Sequence, residues 1–266
     1  YLDHIGAREF NARGEVVGEH RFLGLWTSGL YREPTHTIPL LRRKVAQVVS
    51  ALGAEGTSHD SKAVQHVLET YPRDELFQTN PAELLATVRG IVNLYERRQV
   101  RLFPRRDPYG RFWSCLLFVP RDRYHTQARE QIEDCVRAAY GGTAVESEVV
   151  LGESSLARLQ LRVRTPAATA APPAAAVVEQ QIAEALRTWA DRLRAALLEY
   201  HDESRALALF RRYGDAFPLA YQEDASAATA VRDIAALEEL AQAPGQWHWR
   251  PYRQAGEAES TLRLKL

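Results

Sequence analysis

The 266-residue chain has only two cysteines, Cys115 and Cys135, and no methionine. Cys115 is read on a strand and Cys135 on a helix face, which excludes a disulfide framework and points to a reducing compartment, so a cytoplasmic location is expected. Of the 34 basic residues only Lys44, Lys62 and Lys265 are lysine, which limits any mechanism that needs an amine. The 34 acidic residues bring the net charge to zero, so bulk electrostatics recommend neither nucleic acid nor a membrane as partner. No stretch of this sequence reads as a signal peptide, and no apolar run approaches the roughly 20 residues of a membrane span. Dinucleotide and phosphate-binding glycine loops, the G-x-S-x-G nucleophile turn and the H-E-x-x-H zinc pair are missing as well. The cysteines lie 20 positions apart and no histidine pair is tightly spaced; His59 and His66, two helical turns apart, read as solvated or capping side chains. No catalytic residue, cofactor or metal ligand is expected in this stretch.

What is present centres on Val100 to Arg164. Val100–Phe103 and Phe112–Val119 are apolar, aromatic and β-branched, and Asp107-Pro108-Tyr109-Gly110 between them carries Pro and Gly where a type I turn wants them. Both alternation classes of the second strand are apolar, as in a central strand covered on both faces. Thr126 reads as the N-cap of a helix that carries Ala128, Ile132, Cys135, Val136 and Ala139 on one face and stops at Gly141-Gly142. Val145–Leu151 and Ala157–Val163 then alternate apolar with polar residues around a turn at 152–155. The order β-β-α-β-β, followed by another helix, predicts an α+β fold: a four-stranded, largely antiparallel sheet of ferredoxin-like proportions with helices on one face.

Around this core the chain reads as a succession of shorter modules. Ala7–Phe10 and Glu15–Trp26 form a hairpin that belongs in a larger sheet, because two strands do not stand alone. Helices follow from Pro39 to Leu52, from Ser58 to Tyr71 and from Asn80, where Glu83 is placed for a capping box and Tyr95 faces inward. Pro166–Ala176 has the composition of a solvated linker. Ile182, Leu186, Trp189, Leu193, Ala196 and Tyr200 form a seam that suits either one long helix on the sheet or a coiled-coil-like dimer contact. The first is favoured because the run is shorter than about three heptads. Helices over Glu203–Tyr213 and Thr229–Leu240 come next, then strands over Trp247–Tyr252 and Leu262–Leu266. The expected divisions are 1–96, 97–166, 167–246 and 247–266. The start at Tyr1 and the end inside an alternating pattern are those expected of a piece of a larger polypeptide.

Arg97 to Arg123 contains eight arginines against Asp107 and Asp122, interleaved with Phe103, Tyr109, Phe112, Trp113 and Phe118. A sheet that stacks nucleic-acid bases would look like this. The favoured reading puts the aromatics in the core and pairs the arginines with acids elsewhere, since the domain lacks a basic balance and the RNP pattern. Arg105, Arg106 and Arg111 are the candidate anion-binding residues, because guanidinium forks match carboxylates and phosphates.

Several segments together resemble the large bacterial NAD-specific glutamate dehydrogenases. They are Ile38-Pro39-Leu40-Leu41-Arg42-Arg43-Lys44-Val45, Leu68 to Gln78, Val100-Arg101-Leu102-Phe103 with Arg105 to Phe112, Phe118 to Tyr124, and Arg211-Arg212-Tyr213-Gly214-Asp215-Ala216-Phe217-Pro218. The resemblance implies an ACT-like domain at 97–166, the end of an N-terminal region before it and a further ACT-like domain from Trp247. The parent enzyme would oxidise L-glutamate to 2-oxoglutarate and ammonia with NAD, while this stretch would be regulatory or would serve assembly. The implied partners are the other domains of the same polypeptide, further copies in a homo-oligomer, and an amino-acid effector. The β-β-α-β-β order departs from the β-α-β-β-α-β of an ordinary ACT domain. An RNA-binding module or a purely structural spacer are the alternatives.

Overall fold

Apolar alternation, capping residues and prolines divide the chain into elements that assemble as two units, Tyr1–Ala183 and Glu184–Leu266. The computed structural model describes residues 3–94, 97–152, 154–166, 171–243, 247, 249–252 and 263–265.

The first unit opens with β1 (Asp3–Phe10) and β2 (Val16–Gly24), paired antiparallel. The side-chain oxygen of Asn11 accepts from the Arg13 and Glu15 amides at 2.9 and 3.0 Å, and Gly14 takes φ +79°, where a side chain would be strained. Among the described residues this sheet has two strands. Helices α1 (Ser28–Arg32), α2 (Leu41–Ala51), α3 (His59–Thr70), α4 (Arg73–Gln78) and α5 (Pro81–Val92) follow. Ser58 caps α3 by accepting from the Ser61 amide, and Asn80 caps α5 by accepting from the Glu83 amide with Pro81 in the first turn. The sequence did not announce α4, because Pro72 reads as a stop. It is instead the N-cap residue of a new helix with Asp74 and Glu75 in its first turn, where carboxylates meet the positive end of the helix dipole.

The sheet at the centre comprises β3 (Arg101–Arg106), β4 (Phe112–Pro120), β5 (Ala144–Val150) and β6 (Leu156–Arg164), in the order β3-β4-β6-β5 with every neighbour antiparallel. Helix α6 (Thr126–Ala139) sits between β4 and β5 in the chain, so the expected β-β-α-β-β order is the one that forms. The N-cap of α6 is His125 rather than Thr126: its Nδ1 accepts from the Ala128 amide at 3.2 Å. β4 is central and buried on both faces, as its double apolar pattern required. Cys115, Leu117 and Val119 share one face with Leu161, Leu159 and Ala157, and all six are fully buried. α6 covers this face with Ala128, Ile132 and Val136. On the other face Leu116, Phe118 and Leu156 join the core of α2, α3 and α5. The helices that precede the sheet therefore close the side that α6 leaves open. A Cβ on Gly90 of α5 would lie 2.5 Å from the Phe103 ring, so this approach of helix to sheet needs glycine.

Helix α7 (Ala175–Ala185) buries Val178 and Ile182 and is tied to the β3 edge by Glu179, whose carboxylate accepts from the Leu102 amide at 2.9 Å and from Arg101 at 3.2 Å. Part of the expected linker, 167–170, lies outside the described residues, as does Tyr95, but by Ala175 the chain is already helical. The seam from Ile182 to Tyr200 is not one helix. Thr188 ends it by making a capping box with Asp191 and starting α8 (Trp189–Tyr200).

In the second unit α8, α9 (Glu203–Tyr213), α10 (Leu219–Asp224) and α11 (Ala227–Gln242) surround Leu193, Leu197, Leu209, Val231 and Ile234. Two short strands, β7 (Arg250–Tyr252) and β8 (Arg263–Lys265), pair antiparallel. Leu262 and Leu266 of the expected last strand lie outside the described residues.

Candidate functional site

Successive residues of a strand point to opposite faces, and this decides where the candidate arginines go. Arg105 pairs in register with Ser114, on the face that α2, α3 and α5 cover. There its guanidinium forms a two-pronged ion pair with Glu75 of α4, Nε to Oε2 at 2.8 Å and Nη2 to Oε1 at 2.9 Å, and Nη2 also donates to the Gln78 side chain at 3.0 Å. Both side chains are less than a tenth exposed. Arg106 lies on the opposite face, exposed, with its guanidinium 6.0 Å from the centre of the Trp113 ring. Arg111 leaves the β3–β4 turn. Its Nε and Nη2 donate to the two carboxylate oxygens of Asp107 at 2.8 and 3.0 Å. The three arginines do not converge on one point.

The turn itself is built as the sequence proposed. Gly110 N donates to the Asp107 carbonyl at 2.9 Å, Gly110 takes φ +69°, and the Asp107 carboxylate also accepts from the Tyr109 and Arg111 amides. The Arg111 side chain and these amide donors hold the Asp107 carboxyl below the usual carboxylate range. Nearby, Lys44 Nζ donates to the carbonyls of Leu76, Phe77 and Thr79 at 2.7, 2.9 and 2.7 Å, which satisfies the last carbonyls of α4. Burial, and then the positive charge of Arg105, lowers the Lys44 pKa. Burial with the Glu75 charge pushes the Tyr71 hydroxyl up to about 12. α4 is thus pinned at both ends, to α2 through Lys44 and to the sheet through Arg105.

A cleft of about 440 Å³ opens beside this assembly. Its walls include Trp26, Tyr31, Asp74 and Phe77, and on the sheet side Tyr109, Arg111, Phe112 and Arg162. Trp26 stacks on Phe77 with ring centres 5.0 Å apart. The guanidinium groups of Arg111 and Arg162 lie 5.7 and 5.4 Å from the centre of the Phe112 ring. Asp74 accepts from the Tyr31 hydroxyl at 3.1 Å. Neither Asp74 nor Arg162 was singled out by the sequence. Arg162 is legible in principle as an outward residue of β6, but Asp74 depends on α4.

Phe112 and Phe118 are buried, so neither ring face is offered for base stacking. Among the described residues no helix is long and apolar enough to cross a membrane, and no three His, Cys, Asp or Glu side chains are grouped to hold a metal ion.

A β-β-α-β-β antiparallel sheet with its own helix on one face, set after a helical module that closes the other, defines an ACT-like α+β domain with flanking helical motifs. Profiles for glutamate dehydrogenase match in the same order: helical motif 1 over residues 38–97, the ACT2 domain over 101–190 and helical motif 2 over 196–240. The NAD-specific glutamate dehydrogenase of Halomonas elongata is 38% identical over 266 residues, that of Pseudomonas aeruginosa 34% over 271, and that of Mycobacterium tuberculosis 36% over 248. These alignments take in 100%, 100% and 89% of this chain. Along nearly its whole length the chain is similar to the ACT and helical-motif region of NAD-specific glutamate dehydrogenases. It spans only 16%, 16% and 15% of the length of those relatives.

Proposed function

We propose that this chain is a regulatory and assembly segment of an NAD-dependent glutamate dehydrogenase, cytoplasmic and homo-oligomeric. The whole polypeptide converts L-glutamate, NAD and water to 2-oxoglutarate, ammonia and NADH. The glycine-loop fingerprint that a dinucleotide needs is missing from this sequence, so NAD is assigned to the remainder of the polypeptide. Within the segment, 97–166 is the ACT-like domain, 1–96 closes the region before it, 167–246 is a linker and helical module, and 247–266 opens a further ACT-like domain.

The observation that carries this reading is the clasp between Glu75 and Arg105. It joins the helical motif to the ACT-like sheet through a buried, two-pronged ion pair, so a ligand or neighbouring domain that displaces α4 also displaces β3. Such a joint is what a segment needs to pass a binding event onward, provided the ligand prefers one of two arrangements. The isolated chain incubated with L-glutamate and NAD is expected to form no NADH, and turnover by it overturns the reading. In the full-length enzyme Arg105→Lys keeps the charge and loses the fork. The expected result is a changed oligomer distribution or a changed response to amino acids; a variant indistinguishable from the parent in both overturns the regulatory role.

A further inference from the structure

Helices α2 and α3 both pack on α5, and between them lies a groove of about 740 Å³. Its two ends differ in chemistry. Arg42, Val45, Ala46 and Val49 follow one another at spacings of one helical turn or less, so they line one side of α2. Leu68 of α3 completes the floor, and Leu68 and Val45 are buried members of the core beneath it. The polar end lies at the start of α2, where Arg42 is joined by Arg32 at the end of α1 and by Thr35 and His36 of the intervening segment. Glu69 is the one acid among the described residues of the lining. Both of its carboxylate oxygens are engaged, Oε1 by the Thr35 amide and hydroxyl at 2.9 and 2.7 Å and Oε2 by Arg73 at 3.1 Å. The exposed guanidinium groups of Arg32 and Arg42 have no ion partner among the described residues. A cation would therefore meet two like charges here, and a compact anion such as phosphate would leave the apolar floor uncovered. A ligand with an anionic head and an apolar tail matches both ends. The volume falls in the ordinary range of small-molecule sites, roughly 300–1,000 Å³.

We propose that this groove binds a straight-chain carboxylate of about eight carbons, the length suited to a helix that advances about 10 Å from Arg42 to Val49. The head sits at Arg32 and Arg42, and the tail runs past Val45 to Val49. A guanidinium fork holds a carboxylate through paired N–H donors, and each tail methylene that leaves water adds to the affinity. The site is separate from the cleft beside α4, and the proposal stands independently of the regulatory reading above.

The test is calorimetric titration of the chain with straight-chain carboxylates from butanoate to decanoate, and with octan-1-ol and octylamine as controls. Affinity is expected to rise about threefold with each added methylene as far as octanoate. Beyond that it levels off, because a longer tail passes the end of the floor at Val49. Octan-1-ol, which lacks the charge, and octylamine, which carries the opposite one, are expected to bind at least about tenfold more weakly than octanoate. Arg32→Gln and Arg42→Gln alter exposed side chains and leave the fold intact. Each is expected to lower the affinity for octanoate about fivefold or more. No saturable heat with octanoate up to about 10 mM, equal binding of octan-1-ol, an unbroken gain as far as decanoate, or full affinity in either variant overturns the site. Binding to the isolated chain that is absent from the full-length enzyme assigns the groove to a neighbouring domain and likewise overturns the proposal.

Discussion

On the face of the central sheet that α6 covers, Ile132 and Val136 meet Cys115, Leu117, Leu159 and Leu161, and every one of these side chains is fully buried. On the opposite face, Leu116 and Phe118 also contribute apolar surface, but the contact with α4 runs through Arg105 and Glu75. The first closure is non-directional and scales with the area removed from water. The second fixes one register between helix and strand, since the guanidinium fork meets a carboxylate in few orientations, and it carries a desolvation cost that only the intact pair offsets. The difference teaches that the ACT-like domain holds its own helix chiefly by bulk burial, and its neighbour module by bulk burial with a specific joint added.

The largest expected effect breaks that joint. Glu75→Ala leaves Arg105 buried without its partner and should destabilise the first unit by about 3–5 kcal/mol, measured by urea unfolding. The double change Glu75→Leu with Arg105→Met should restore most or all of that loss, because a buried pair replaced as a unit is often neutral. If the single and double changes cost the same, the two faces are closed by the same physics and the comparison fails. Next, Gly90→Ala drives a methyl group into the Phe103 ring on the joint side and should cost about 1–3 kcal/mol. On the dry face, Ile132→Val removes one buried methylene and should cost about 0.5–1.5 kcal/mol without altering the response to Glu75→Ala.

The smallest effect is a dependence on acid. The Asp107 carboxyl is held below its usual range chiefly by the Arg111 side chain. Burial pushes Glu69 up, but hydrogen bonds from Thr35 and Arg73 outweigh it and leave this carboxyl lowered too. Both groups have a lower pKa folded than unfolded, so the stability they contribute is fully present above the ordinary carboxylate range near about pH 4 and is lost as pH falls through the folded values. Thermal midpoints that decline below that range, and decline less in Asp107→Asn, are the expected result.

The β-β-α-β-β order and the central position of β4 were legible because periodicity and turn residues are local signals: Pro108 and Gly110 fix the turn, and the double apolar run fixes a strand covered twice. The hairpin at Asn11–Gly14 and the helices starting after Ser58 and Asn80 were legible for the same reason. The break at Thr188 was available in Thr188 and Asp191, yet the apolar seam masked it. The destiny of Arg105 was not legible, since its partner lies on α4, which starts just after Pro72, where the sequence reads only a stop. The cleft depends on the same helix, which is why Asp74 and Arg162 escaped a reading that could place only the arginines around the β3–β4 turn.

The two thiols differ in a way that gives the chain an internal clock. Cys115 sits on β4 with no exposure, while Cys135 on α6 is only partly covered, and burial raises both thiol pKa values. An alkylating reagent therefore reaches Cys135 from the native state but must wait for the sheet to part before it finds Cys115. Labelling at Cys115 counts openings of the central core, and a neighbour on α4 that steadies the sheet will slow that count without touching the sulfur.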